Sequence, residues 1–267
     1  MIAARSYLFV PGNRPDRFEK ACNAGADAVI VDLEDAVLPE HKAGARETVA
    51  GWLSPGRSVY VRINGPDTEW FQDDVTAVLR PGVAGIVFPK AESRDHLALL
   101  AGRLPRQVPI LPLVESARGI WNVMEIATWP GVQRLVFGSD DFRLDANVIG
   151  DGEELLYARS RVVLASRIAG LPPPVDGVTT DIDDENILAE HVNRARRLGF
   201  GGKLCIHPRQ VDPINRGFLP TAHEISWARG VVAAADASGE GAIRLDGKLV
   251  DRPVVERARK LLEFVAS

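Results

Sequence analysis

The sequence predicts an α/β protein: one (β/α)₈ TIM barrel with a C-terminal helical extension. Three observations carry this. Short runs rich in Val, Ile and Leu alternate with longer helix-period segments along nearly the whole chain. Eight such runs can be counted, most of them apolar on both faces, as parallel strands covered by helices must be. The length of 267 residues is the size of one such barrel. An open doubly wound sheet usually has fewer strands and a Gly-rich phosphate loop after the first, and no GxGxxG is present.

The strands are expected at 7–10, 28–31, 59–63, 85–88, 110–114, 134–137, 174–176 and 203–206. Helices are expected between them at 15–24, 40–53, 70–79, 93–103, 116–128, 153–169 and 186–198. Pro15 suits a first helical turn, Ser93 an N-cap, and Gly25 and Gly199 positions just past a helix end. Helical sequence follows at 221–237, then a Gly-rich turn and a final helix at 253–265. The expected organisation is a catalytic barrel over 1–238 and an extension or lid over 239–267.

Composition excludes several classes. A net charge of −4 offers no basic footprint for nucleic acid and no polybasic membrane patch. No apolar stretch reaches the roughly 20 residues of a membrane span, and the first residues reach Pro11-Gly12 too soon for a signal peptide. Cys22 and Cys205 have no metal-ligand spacing and read as reduced core thiols, which fits a cytoplasmic protein.

In a (β/α)₈ barrel the chemistry sits where strands end and βα loops begin. Strand 1 runs into Asn13-Arg14, and strand 2 into Asp32, Glu34 and Asp35. Strand 3 ends in Arg62 and Asn64, strand 4 in Lys90, and strand 5 at Glu115 with Arg118 a turn further. Strand 6 ends in Asp140-Asp141, strand 7 carries Asp176, and strand 8 runs into His207-Pro208. Taken singly, an acid after a strand is often a helix N-cap, and Asp35 and Asp176 fit that role or loop support. Asp32 and Glu34 can instead pair with Arg62 or Lys90. His207 fits a loop hydrogen bond as well as chemistry. Lys90 could form a Schiff base, but nearby carboxylates keep an ammonium charged and favour ion pairing. Glu115 and Asp141 end adjacent strands, and their hard oxygens suit Mg²⁺, which takes one or two carboxylates and leaves its other positions to water and substrate. There is no HxH or His-rich set for zinc or non-haem iron.

The segments RSYLFVPGNRP, GADAVIVDLEDAV, VYVRING, GIVFPKAES, PLVESARGI, LVFGSDDF and GKLCIHPRQV, in this order, resemble the citrate lyase β-subunit-like proteins. That family belongs to an aldolase and lyase superfamily that includes malyl-CoA and β-methylmalyl-CoA lyases. The likeness spans essentially the whole chain. It implies a (β/α)₈ barrel that assembles as a homotrimer or hexamer. It implies that Glu115 and Asp141 bind Mg²⁺ and that Arg62 faces the keto-acid carboxylate or carbonyl oxygen. Asp32, Glu34 and Asp35 then form an acidic layer behind Arg62 and the metal-bound waters. DGKLVDRP is similar to the family's lid motif, whose acid, here Asp251, serves a neighbouring subunit's site as acid or base. The family usually has Glu where this chain has Asp140.

The implied activity is a Mg²⁺-dependent carbon–carbon lyase acting on citryl- or malyl-type thioesters, giving an acyl thioester and a 2-keto acid. Asn64 and Lys90 are expected to contact the acid portion, and Arg14 and Lys20 either reach the phosphates of coenzyme A or lie on a solvated helix face. The alternatives are a malyl-CoA thioesterase or malate-synthase-like enzyme, a class II aldolase acting on free acids, and a lyase subunit acting on an acyl-carrier-protein thioester.

Overall fold

The computed structural model describes residues 3–105, 108–238, 242–245 and 247–266. The chain divides into two compact units, Ala4–Phe218 and one holding Leu219–Ser267. The division falls ahead of the helix at Ala222–Ser238. The Gly-rich turn at 239–241, where the sequence boundary was expected, lies outside the described residues, as does Asp246 of the DGKLVDRP segment.

The first unit is the expected barrel. Its strands are β1 (Ser6–Pro11), β2 (Ala28–Asp32), β3 (Val59–Arg62), β4 (Val83–Phe88), β5 (Ile110–Val114), β6 (Val136–Phe137), β7 (Val175–Asp176) and β8 (Gly202–Cys205). All pairings are parallel in sequence order, and β1 closes on β8 with Tyr7 opposite Leu204. Around them run α1 (Pro15–Cys22), α2 (Lys42–Trp52), α3 (Phe71–Val78), α4 (Arg94–Ala101), α5 (Ala117–Trp121), α6 (Val123–Ala127), α7 (Ser139–Asp145), α8 (Leu156–Ile168), α9 (Glu185–Leu198) and α10 (Val211–Gly217).

Strand alternation sorts the apolar residues into two layers. Tyr7, Ile30, Val87, Leu113, Val136 and Leu204 fill the inside of the barrel. Leu8, Val31, Val61, Ile86, Val114 and Phe137 form a second core together with helix residues such as Phe18, Val49, Leu97 and Val162. The expected start and stop signals operate: the Ser93 hydroxyl accepts the His96 amide, and Gly199 takes φ 101° at the end of α9.

Several expectations shift. The helix expected at 116–128 is two short helices meeting at Asn122. α7 and α10 were not foreseen, because each is only seven residues long. β6 and β7 are only two residues each. Cys205 is buried as expected, but Cys22 is exposed, since it ends α1 on the outer side of the helix.

A buried charge cluster lies under α8 and α9. Arg159 Nε donates to Asp176 at 3.0 Å, and Lys203 Nζ lies 3.5 Å from the same carboxylate. All three side chains are about fully buried. Asp176 is thus a structural counter-ion to two cations, beyond the loop support expected for it.

The second unit contains α11 (Ala222–Ser238), β9 (Ala242–Leu245), β10 (Lys248–Asp251) and α12 (Arg252–Ala266). β9 and β10 pair antiparallel, and Ala228, Val231, Val250 and Ala258 form its small core. Among the described residues no helix is long and apolar enough to cross a membrane.

Replacing Asp176 by Ala would remove the carboxylate that faces both buried cations, leaving Arg159 with Asp151 and Lys203 with the Gly177 carbonyl. Breaking a buried pair in this way costs about 3–5 kcal/mol, so urea unfolding of Asp176→Ala should show a clear loss of stability. An unmoved midpoint would contradict the structural role.

Candidate active site

The C-terminal ends of the strands open onto a cavity of about 370 Å³, lined on its polar side by Asp32, Arg62, Glu115, Ser139 and Asp141 and on its apolar side by Phe9 and Leu113, among others. Strand register brings the first two together. Asp32 of β2 lies opposite Arg62 of β3, so their side chains leave the sheet in the same direction.

Arg62 is 8% exposed. Its Nε and Nη2 each donate to one oxygen of Asp32 at 2.7 Å, a bidentate pair. Its Nη1 lies 2.8 Å from Glu34 Oε2 and 3.4 Å from Asp35 Oδ2, and the guanidinium carbon sits 4.8 Å from the Phe9 ring centroid. Burial works against the charge of Arg62, but Asp32, Glu34 and Asp35 outweigh it and raise its pKa. Burial likewise opposes ionisation of Asp32, and Arg62 reverses the effect and holds its carboxyl below the usual range. The Asp32 oxygens also accept the Glu34 and Ala36 amides at 2.9 and 3.1 Å.

Two further carboxyls behave differently. Burial first, and then the neighbouring Glu115, Asp35 and Asp32, push Glu34 up to about 8 against the pull of Arg62. Burial, with Asp141 adding to it and Lys90 opposing, pushes Glu115 up to about 7. Added positive charge beside these carboxyls would favour their ionised form.

Lys90 is the cation between Glu115 and Asp141. Its ammonium hydrogen-bonds Asp141 Oδ1 and lies 3.5 Å from Glu115 Oε1, while its backbone amide donates to Glu115 Oε1 at 2.9 Å. The backbone of Lys90 is left-handed, with φ 49°, an uncommon conformation for a residue with a Cβ. Gly138, just ahead of α7, lets Glu115 in: a Cβ there would lie 2.5 Å from both Glu115 Cβ and Oε2. Asp141 stands in the first turn of α7, a third exposed, and its neighbour Asp140 faces Arg143 at 3.7 Å.

Among the described residues, no cluster of three or more His, Cys, Asp and Glu side chains is arranged to hold a metal ion. Glu115 and Asp141 still fit one kind of ion. Two hard carboxylates, already drawn around an ammonium, suit Mg²⁺, which takes its remaining ligands from water and substrate.

The remaining expected residues are not all at the cavity. Asn64 is 2% exposed and turned into the protein, where its Nδ2 donates to Asp74 at 2.6 Å and to the Leu33 carbonyl at 2.9 Å. Arg14 pairs with Asp16 on the surface, and Lys20 is exposed on α1; neither lines the cavity. His207 caps the turn at Pro208–Gln210, its Nδ1 accepting the Arg209 amide at 3.2 Å. Asp251 ends β10 in the second unit, where it accepts the Val254 amide at 3.4 Å at the start of α12. Sequence reasoning missed Ser139, whose buried Oγ has no hydrogen-bond partner among the described residues and which lines the cavity. It also missed Lys42 and Asp74 behind the site. A serine directly after a strand was the available signal for Ser139.

The family described as HpcH/HpaI aldolase/citrate lyase matches residues 5–208. A citrate lyase subunit beta-like protein of Deinococcus radiodurans is 39% identical, over 98% of this chain and 97% of its own. A (3S)-malyl-CoA thioesterase of Cereibacter sphaeroides is 36% identical, over 97% of this chain and 93% of its own. The crystal structure of CitE from Mycobacterium tuberculosis, in complex with magnesium, acetoacetate and coenzyme A, superposes with a TM-score of 0.88 at 32% identity, covering 99% of both chains.

Gly138→Ala should displace Glu115 and cost about 1–3 kcal/mol, the usual penalty of overpacking. Thermal unfolding reads this directly, and an unchanged Tm would mean that the glycine is not needed for the fit.

Proposed function

The chain belongs to the HpcH/HpaI aldolase/citrate lyase family, and from that premise we propose that it is a Mg²⁺-dependent carbon–carbon lyase cleaving a citryl- or malyl-type acyl thioester into an acyl thioester and a 2-keto acid. The observation that carries this reading is Arg62, a buried and fully charged guanidinium, facing the same cavity as the Glu115–Asp141 pair. Magnesium and coenzyme A in the CitE complex, at 32% identity over 99% of the chain, support both the metal and the thioester.

Glu115 and Asp141 would hold the metal, with the Lys90 ammonium giving way. When bound, the ion supplies positive charge to the carboxylate and the 2-oxygen of the acid. Arg62 adds a second positive charge where negative charge develops on that oxygen, in an orientation already set by Asp32. In cleavage the hydroxyl gives its proton to water, the carbon–carbon bond breaks, and the electron pair moves to the thioester as an enolate. Asp251 protonates the enolate carbon to give the acyl methyl group, or removes that proton in the reverse direction, acting in the site of a neighbouring subunit.

A homotrimer or hexamer is part of this reading. Trp121, Leu144, Ile149, Tyr157, Leu164 and Ile168 are exposed on α5, α7, α8 and the loop between them. Exposed apolar side chains of this size are candidates for burial between subunits. The two free cysteines fit a cytoplasmic location.

A second reading is favoured by the malyl-CoA thioesterase relative at 36% identity. There, water would attack the thioester in the same site, and release of free coenzyme A distinguishes it from a reversible lyase.

The purified protein with Mg²⁺ should cleave at least one of malyl-, citramalyl- and citryl-CoA, or condense acetyl- or propionyl-CoA with glyoxylate, pyruvate or oxaloacetate, and lose this activity in EDTA. Turnover that survives chelation would overturn the metal assignment. Activity only with an acyl-carrier-protein thioester would place the chain within a larger complex. Arg62→Lys, which keeps the charge but loses the bidentate fork, should lower kcat by about 10²–10³, the loss typical of one charge-stabilising donor. A kcat within a factor of two of wild type would remove Arg62 from the chemistry.

A further inference from the structure

Lys42 is the first residue of α2 and is 6% exposed. Two physical effects disfavour a lysine there. A cation in the first turn faces the positive end of the helix dipole, and burial strips the ammonium of water. Burial pulls its pKa below the usual lysine value, while Asp32, Glu34 and Asp74 pull the other way.

Two charge-assisted hydrogen bonds offset these costs. Lys42 Nζ donates to the backbone carbonyls of Leu33 and Glu34, both at 2.9 Å, and lies 5.0 Å from the Trp70 ring centroid. Asn64 Nδ2 donates to the same Leu33 carbonyl at 2.9 Å and is itself fixed by Asp74, a fully buried carboxylate that Arg46 Nε contacts at 2.7 Å. From the other side, the Asp32 carboxylate accepts the Glu34 and Ala36 amides. The loop after β2 is therefore gripped through its carbonyls by Lys42 and Asn64 and through its amides by Asp32.

We propose that Lys42, supported by Asn64 and Asp74, is a positioning residue for the reaction: it fixes the Leu33–Glu34 backbone so that Asp32 and Glu34 hold Arg62 aimed into the cavity. The kinetic part rests on the lyase reading; the grip on the loop does not. Lys42 does not line the cavity. A residue that only stapled the loop would change stability and leave turnover alone.

The test compares wild type with Lys42→Met, Lys42→Arg, Glu34→Gln and the double variant Lys42→Met/Glu34→Gln. Steady-state kinetics are read on whichever thioester the protein cleaves, alongside Tm and amide hydrogen exchange across residues 33–37. Folded Lys42→Met should lose about 10- to 100-fold in kcat, the usual cost of removing a supporting partner, with the thioester KM changed by less than about threefold. Lys42→Arg should recover part of the loss. The double variant should fall no further than Glu34→Gln, because both act through the same loop. A lowered Tm with unchanged kcat and KM, or losses that multiply in the double variant, would overturn the proposal. Should Lys42→Met not fold, Asn64→Ala removes the second grip on the Leu33 carbonyl and carries the same expectations. If wild type turns over no thioester, the lyase reading fails while the grip is still judged. The Glu34 and Ala36 amides should then exchange at least about tenfold faster in Lys42→Met while those of β5 do not, and equal exchange would overturn it.

Discussion

Asp32 and Arg62 stand opposite one another in the parallel pairing of β2 and β3, so the barrel's register itself builds their bidentate ion pair. A guanidinium this buried needs its charge matched and its hydrogen bonds met, or the desolvation cost would destabilise the fold. Asp32 supplies most of both, and the same carboxylate then orders the loop that brings in Glu34 and Asp35. One pairing therefore fixes the cation, its acidic neighbours and the floor of the cavity together.

That solution creates a second electrostatic problem. Five carboxylates contact Arg62 and Lys90 at the mouth of the barrel, Asp32, Glu34, Asp35, Glu115 and Asp141. Arg62 and Lys90 alone do not balance them, and burial raises the pKa of Glu34 to about 8 and that of Glu115 to about 7. A divalent cation placed against Glu115 and Asp141 resolves the imbalance, and a 2-keto acid bound to that cation would lie within reach of Arg62. These electrostatics accord with the metal site proposed for Glu115 and Asp141.

Much of this was legible in the sequence, for identifiable reasons. The strands β1 to β5 are mainly apolar runs bounded by Gly, Pro or charge, and β8 shows as Leu204-Cys205-Ile206 ahead of His207-Pro208. β6 and β7 contribute only two residues each to the ladder, too few for periodicity to bound them. α7 is hidden because GSDDF reads equally as the loop after a strand. Charged residues following nearly every strand pointed to the cavity, since barrel geometry gathers strand ends at one face. What sequence could not supply was direction. Asn64 follows Arg62 by two positions, yet points back at Asp74 and the Leu33 carbonyl. Lys42 reads as an ordinary polar residue entering a helix, and only tertiary structure shows it buried beneath the acidic loop.

The most direct measurement is the position of a bound metal: crystals soaked in Mn²⁺ as a stand-in for Mg²⁺ with anomalous scattering recorded at the manganese edge. The account predicts one peak at about 2.1 Å from a carboxylate oxygen of Glu115 and of Asp141, with the Lys90 ammonium displaced from between them. A peak held instead by Asp32 and Glu34, or none at this face of the barrel under conditions that support turnover, would contradict it.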